Sequence, residues 1–401
     1  MRLIKRDRYL NQLINVIGVP DIKIITGVRR SGKSKLLEAF KKYIQTNIKD
    51  SNIIHINYSL TKFEKLKEYH ALDEYVEKNY VQGKKNFLLI DEIQMCDGFE
   101  IAINSFHAEE KYDIYITGSN AFLLSSDLAT LFTGRTFEIE VFPFSFQEFM
   151  EYYKYDDADR VFDEYVRNGG MAGSYLYNTE KEKYSYVEDV YKTLIARDIK
   201  KKYKIKNNEI LEGVNNFLTD NISNLTSSNN ITDCLNKNKM KVTYKTINNY
   251  IEYLCNAFAF YKIKRYDIRG KKHLKTLNKY YIVDQSFRYA RLGTTNMDYG
   301  RTYENLVAIE LLRRGYDVYI GTLYNKEIDF VAQRQNEKLY IQVSDNISEE
   351  KTFKREVDSL LKIKDAYPKL LIARTRHEDY TYEGIIIKDI ANWLANENKL
   401  E

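Results

Sequence analysis

DIKIITGVRRSGKS, residues 21–34, runs a short β-rich segment into a glycine-containing loop and opens the helical pattern KSKLLEAFKKYI (33–44). Its second half, Gly27-Val28-Arg29-Arg30-Ser31-Gly32-Lys33-Ser34, has the spacing GxxxxGK[ST]. Glycines let such a loop wrap until its backbone N–H groups point inward at an anion, and the helix behind it adds the positive end of its dipole. Lys33 then supplies a mobile charge to the outer phosphates of a nucleoside triphosphate, and Ser34 an oxygen to Mg²⁺. A strand before the loop and a helix after it are the context this motif requires. The stretch therefore predicts a P-loop fold that takes ATP with Mg²⁺.

Working outward, NIIHINYS (52–59), NFLLIDE (86–92), YDIYITGS (112–119) and RTFEIEVF (135–142) are apolar runs of strand length. Their continuous hydrophobicity is what strands covered on both faces require, so the fold class is α/β with a parallel sheet. Phe87-Leu88-Leu89-Ile90-Asp91-Glu92 ends four apolar residues in two acids. There Asp91 is expected to hold the Mg²⁺ shell and Glu92 to polarise the attacking water as general base; acids also cap strand ends without function. The third run ends in Thr117, Ser119 and Asn120. Strand C-terminal ends of such sheets face the ligand crevice, so Ser119, with Asn120 second, is the candidate for sensing the γ-phosphate. Arg135, directly before the next strand, is either an arginine finger, in cis or from a neighbouring subunit, or a solvated arginine or structural ion pair.

At 401 residues the chain is long enough for two or three domains. Its basic start, MRLIKRDRYLNQL, reads as a first helix and not as a signal peptide. No apolar run approaches the roughly 20 residues that cross a bilayer. Cys96, Cys234 and Cys255 are far apart and suggest neither disulfides nor a zinc site, which suits a cytoplasmic protein without a membrane partner. The net charge of +5 identifies no partner, but residues 237–275 carry eleven basic side chains against two acidic ones.

That basic tract falls on a helical pattern, YKTINNYIEYL (244–254), and on two β-rich runs joined by IRGKKHLK (268–275), the outline of a winged helix-turn-helix. Lys245, Lys262, Lys264, Arg265, Arg269, Lys271, Lys272 and Lys275 would contact DNA phosphates. Asn248 and Asn249, turned away from the apolar stripe, would reach base edges. A solvated face, or one used for protein contacts, is the alternative.

These motifs in this order, with GGMAG (169–173) and FPFSFQEF (142–149), resemble the prokaryotic AAA+ ATPases that carry a C-terminal domain of unknown function. The resemblance covers essentially the whole chain, although Ala172 stands where that family usually has proline. It implies an AAA+-like P-loop ATPase core over residues 1–150 and a helical lid over 151–206. A winged helix-turn-helix follows over 207–298 and a restriction-endonuclease-like domain over 299–401. A nuclease of that type needs carboxylates for a metal and a lysine for the water. Glu304, Asp329 and Gln342 take the metal positions here, but Ser344 stands where the lysine belongs. Lys338 or Lys351 is the alternative source of that charge; otherwise the domain is degenerate and serves binding.

The expectation is an ATPase that couples Mg·ATP hydrolysis to a DNA-associated task and can form homo-oligomers. A nucleotide-gated regulator with little turnover and an ATP-dependent nuclease are the alternatives.

Overall fold

The computed structural model describes residues 4–118, 132, 134–294 and 297–396. The chain divides into two compact units. The first contains residues 1–143, 196–202 and 256–258, and the second contains the remainder.

The first unit opens with α1 (Asp7–Asn15) and then alternates β1 (Ile22–Thr26), α2 (Lys33–Asn47), β2 (Ser51–Asn57), α3 (Tyr69–Lys78), β3 (Lys85–Asp91), α4 (Phe99–Ala108), β4 (Tyr112–Thr117) and β5 (Thr136–Glu140). The five strands form one sheet in the order β2-β3-β4-β1-β5, and every neighbouring pair is parallel. Side chains alternate across it, so Ile24, Leu88, Ile90 and Ile114 pack against α3 and α4 on one face. Ile25, Phe87, Leu89 and Tyr115 pack against α1 and α2 on the other. This two-sided burial is why the strands read as unbroken apolar runs. Because β1 lies between β4 and β5, the chain leaving β1 emerges beside the end of β4, one strand from the end of β3.

Near the opposite end of the strands the Lys23 side chain is fully buried. Its ammonium donates to Asp113 Oδ1 at 2.5 Å and to the Val19 carbonyl, 5.1 Å from the Tyr115 ring centre. Asp113 also accepts from Gly18 N at 2.9 Å.

The second unit begins with α5 (Phe146–Tyr153), α6 (Ala158–Asn168) and α7 (Glu180–Thr193). Ser145 and Glu148 close a reciprocal capping box on α5. The aromatic tract 142–149 feeds a ring cluster, in which Phe149 stands 5.4–5.5 Å from Tyr165 and Tyr175. The glycine segment is a packing junction. Gly170 N donates to the buried Asp284 at 2.6 Å, and a Cβ there would lie 2.2 Å from Phe144 O. No larger residue fits without moving that backbone.

Then come α8 (Asn208–Asp220), α9 (Ser228–Lys237), α10 (Tyr244–Asn256), the antiparallel hairpin β6 (Phe260–Asp267) and β7 (Lys272–Ile282), α11 (Gln285–Leu292) and α12 (Tyr299–Arg313). The chain ends in β8 (Asp317–Leu323), β9 (Lys326–Arg334), β10 (Glu337–Ser344), α13 (Glu350–Leu361), β11 (Lys369–Ala373), β12 (Tyr380–Tyr382), β13 (Ile385–Asp389) and α14 (Ile390–Ala395). Eight strands form one mixed sheet in the order β12-β13-β11-β10-β9-β8-β6-β7. The basic hairpin is part of it, since β6 pairs in parallel with β8. Among the described residues no helix is long and apolar enough to cross a membrane.

Removing one partner of a buried pair leaves the other charge stranded, at a cost of about 3–5 kcal/mol. Asp113→Ala is therefore expected to lower unfolding free energy by about that amount in urea titrations, while Asp113→Asn, which keeps an oxygen acceptor, loses less.

Candidate functional site

Gly27 follows β1 with φ 129°, and a Cβ there would lie 2.2 Å from the Val141 carbonyl oxygen. The loop is thus pressed against the chain leaving β5, and α2 starts at Lys33 with its first N–H groups facing the loop's interior. Lys33 is 6% exposed; its ammonium donates to Gly27 O at 2.8 Å and Val28 O at 3.0 Å, on the concave side of the loop. Burial pushes its pKa down, against the attraction of Glu92 and Asp198. Ser31 Oγ is buried and has no hydrogen-bond partner among the described residues. A buried hydroxyl without a partner is costly unless a ligand supplies one. With the helix terminus and the ammonium, it fits a phosphate chain.

Asp91, the last residue of β3, is 2% exposed. It accepts from Asn57 Nδ2 at 3.0 Å and from Thr117 Oγ1, and the Ser34 hydroxyl stands close enough to favour its charged form. Burial raises its pKa, and the Thr117 and Ser34 hydroxyls oppose that rise. Ser34 and Asp91 therefore meet in one place, a hydroxyl and a carboxylate of the kind that binds Mg²⁺. Glu92 is held in the left-handed region at φ 60°, an arrangement costing on the order of 1–3 kcal/mol. Its N–H donates to Thr117 Oγ1 at 3.2 Å, and its carboxylate accepts from Gln94 Nε2.

Thr117 thus bridges Asp91 and Glu92 with one fully buried hydroxyl. Sequence reasoning named Thr117 among the polar ends of its strand but favoured Ser119 and Asn120, which lie outside the described residues. The register was the missing signal, because Ile90 pairs with Ile116 and the next residues, Asp91 and Thr117, are neighbours.

Two further residues were not legible. Arg29 Nε and Nη2 donate to both oxygens of Asp198 at 3.1 and 2.8 Å; Asp198 sits in a π-helical turn, Leu194–Lys201, and is 3% exposed. Arg6, stacked 4.6 Å from the Tyr9 ring, donates to Ser31 O at 2.6 Å and Phe142 O at 2.9 Å, clamping the loop from outside. Arg30 is exposed and Val28 is buried in the core. Arg135 is exposed, and its carbonyl accepts from Ile22 N at the start of β1. Gly27 lies beyond the other end of that five-residue strand, roughly 16 Å away by strand rise. Arg135 thus stands at the end of β1 remote from its own chain's loop.

In the second unit Glu304 and Asp329 do converge, and on an ammonium group that sequence reasoning judged missing. Lys279 Nζ, from β7, lies 2.8 Å from Glu304 Oε1, 2.7 Å from Glu327 Oε1 and 3.8 Å from Asp329 Oδ1. Tyr281 OH donates to Glu304 at 2.6 Å, and Val343 N to Asp329 at 2.8 Å. Gln342 stands at the side: its Nε2 donates to Glu356 at 2.9 Å and its Oε1 accepts from Asp329 N at 3.4 Å. Ser344 Oγ donates to Asn346 O. The substitutes considered lie elsewhere. Lys338 stacks on Tyr266, Tyr340 and Tyr367, and Lys351 is exposed at the start of α13. Among the described residues no group of three or more His, Cys, Asp or Glu side chains is arranged to hold a metal.

Of the proposed nucleic-acid residues, Lys245, Lys262, Lys264, Arg269, Lys271 and Lys272 are exposed, and Arg265 and Asn249 are half-buried. Asn248 donates to Glu252 Oε1 at 3.0 Å and accepts from Ser228 at 3.4 Å, so its amide is engaged within the protein. The Lys275 side chain lies outside the described residues.

Burial raises the pKa of both Glu304 and Asp329, and the Lys279 charge pulls each back down. Lys279→Met is expected to cost about 3–5 kcal/mol near neutral pH. A carboxyl whose folded pKa exceeds its unfolded value takes up protons in the folded state first, so stability rises as pH falls through that window. Urea unfolding should then show the variant regaining stability more steeply than the wild type as pH falls from neutral; parallel pH curves would show that Lys279 does not set these carboxyls.

The family described as "AAA domain" matches residues 19–150, and one described as a domain of unknown function matches residues 159–298. An uncharacterized protein of Haemophilus influenzae is 39% identical over 398 residues, 98% of each chain. Another, from Methanocaldococcus jannaschii, is 28% identical over 369 residues, covering 87% of this chain and 80% of that one. Among solved structures, AMPPCP-bound DnaA from Aquifex aeolicus is similar at 15% identity and a TM-score of 0.32, over 62% of this chain and 86% of that one. By its identity to the Haemophilus influenzae protein along nearly the whole length, the chain belongs to that protein's family, and it carries its AAA domain in residues 19–150.

Proposed function

We propose that the chain hydrolyses Mg·ATP at the phosphate loop and couples the turnover to a DNA-associated task. The observation that carries the reading is the meeting of Ser34, Asp91, Thr117 and Glu92 beside the Lys33 ammonium. Loop N–H groups from Val28 to Ser34 cradle the phosphates, with the positive end of α2 behind them. Lys33 leaves its two loop carbonyls for the outer phosphate oxygens. Ser34 and Asp91 would hold Mg²⁺, which when bound would supply positive charge to the phosphates. Thr117 fixes the Asp91 carboxylate and the Glu92 backbone together, so the general base is aimed from a strained, fixed turn. Glu92 then accepts the proton of the attacking water.

Arg135, too far from its own loop, serves as an arginine finger for the loop of a neighbouring copy in a homo-oligomer. Residues 1–150 form the ATPase core and 151–206 its lid. The basic hairpin β6–β7, with α8 to α10, is a winged helix over 207–298 that contacts DNA phosphates through Lys262, Lys264, Arg269, Lys271 and Lys272. Residues 299–401 are a nuclease-like fold used for binding, its carboxylates engaged by Lys279. The protein works in the cytoplasm.

Steady-state ATP turnover with and without duplex DNA tests this. A positioned general base contributes about 10²–10⁴-fold, so Glu92→Gln should retain nucleotide while turning over at least about a hundredfold more slowly. The wild type should be stimulated by DNA. Wild-type turnover no faster than Lys33→Ala would sink the ATPase reading, and turnover indifferent to DNA would sink the coupling.

A further inference from the structure

We infer that Asp198 is a positioning residue that senses the nucleotide's phosphates through Arg29, and that bound triphosphate releases the turn it sits on. This rests on the ATP-binding reading above. Asp198 is an anion buried at 3% exposure beside a loop shaped for anions, and its charge reaches the Lys33 ammonium as well as Arg29. Its carboxylate takes both Arg29 bonds in the two-point geometry that carboxylate and phosphate groups share. A triphosphate in the loop therefore acts on the pair twice. It repels the Asp198 carboxylate, itself withdrawn from water, and it offers Arg29 a more highly charged partner with the same geometry.

The surroundings make such a release consequential. Leu194–Lys201 is a π-helical turn, whose i→i+5 pattern is rarely sustained and is found mostly at functional sites. Residues 196–202 belong to the first unit, although the chain before them, from 144, and after them, to 255, belongs to the second. Asp198 is the side chain that fastens this turn to the phosphate loop, both within the first unit. A ligand shifts such an equilibrium only through unequal affinity for the two states, and the phosphates supply that inequality by their charge.

The test joins binding and amide exchange on the full chain. Asp198→Asn removes the competing charge, so calorimetry should show ATP binding about tenfold more tightly than to the wild type, with AMP affinity unchanged. A brace whose loss merely loosens the loop would weaken both nucleotides. In the wild type, hydrogen–deuterium exchange over residues 196–202 should rise when ATP is added, a result that does not depend on any variant folding. Equal or weaker ATP binding by Asp198→Asn, or exchange at 196–202 that ATP leaves unchanged or slows, overturns the inference while leaving the ATPase reading intact. Failure of the wild type to bind ATP overturns both.

Discussion

A carboxylate that is 2% exposed has to be stabilised by its neighbours, and polar groups from three separate elements surround Asp91. Asn57 comes from β2, Thr117 from β4 and Ser34 from the first turn of α2. One buried charge therefore fixes the spacing of two flanking strands and of the helix that carries the phosphate loop. An unpaired buried charge costs several kcal/mol, so these groups are held where the chemistry needs them before any nucleotide arrives. The sheet order makes the arrangement reachable, because it sets β1 and β3 on either side of β4. Glu92 inherits its place from the same network through Thr117.

What the sequence displays is whatever one strand or one loop decides alone. The apolar runs of β1, β3 and β4, the glycine spacing and the paired acids after Ile90 each fall within about ten residues, so their periodicity and chemistry could be read directly. What it hides is pairing between distant segments. Thr117 needed the β3–β4 register, Arg6 the approach of α1 to the loop, and Asp198 the return of a π-helical turn from far along the chain. Arg135 shows the converse. It directly precedes a strand, as expected, but that strand runs parallel to β1 and starts beside the end of β1 away from the loop.

The second unit makes the same point with charge. The segments holding Glu304, Asp329 and Gln342 were legible one by one, and the lysine was sought two residues beyond Gln342. It comes instead from β7, where Lys279 interrupts a run that otherwise reads as plain strand. Burial outweighs the single Lys279 ammonium, so the Glu304 and Asp329 pKa values are raised despite the ion pairs. The glycine segment was visible only as a break. Its role, approaching Asp284 closely enough to satisfy a buried acid, belongs to tertiary packing.

The central claim is that Asp91 and Ser34 together hold the Mg²⁺ that accompanies ATP in the loop. Calorimetric titration of ATP into the wild type and Asp91→Asn, each with and without Mg²⁺, tests it most directly. The account predicts that Mg²⁺ tightens ATP binding by the wild type and has no such effect on the variant, which still binds the phosphates through Lys33 and the loop. An Asp91→Asn protein with the same Mg²⁺ dependence as the wild type would contradict it.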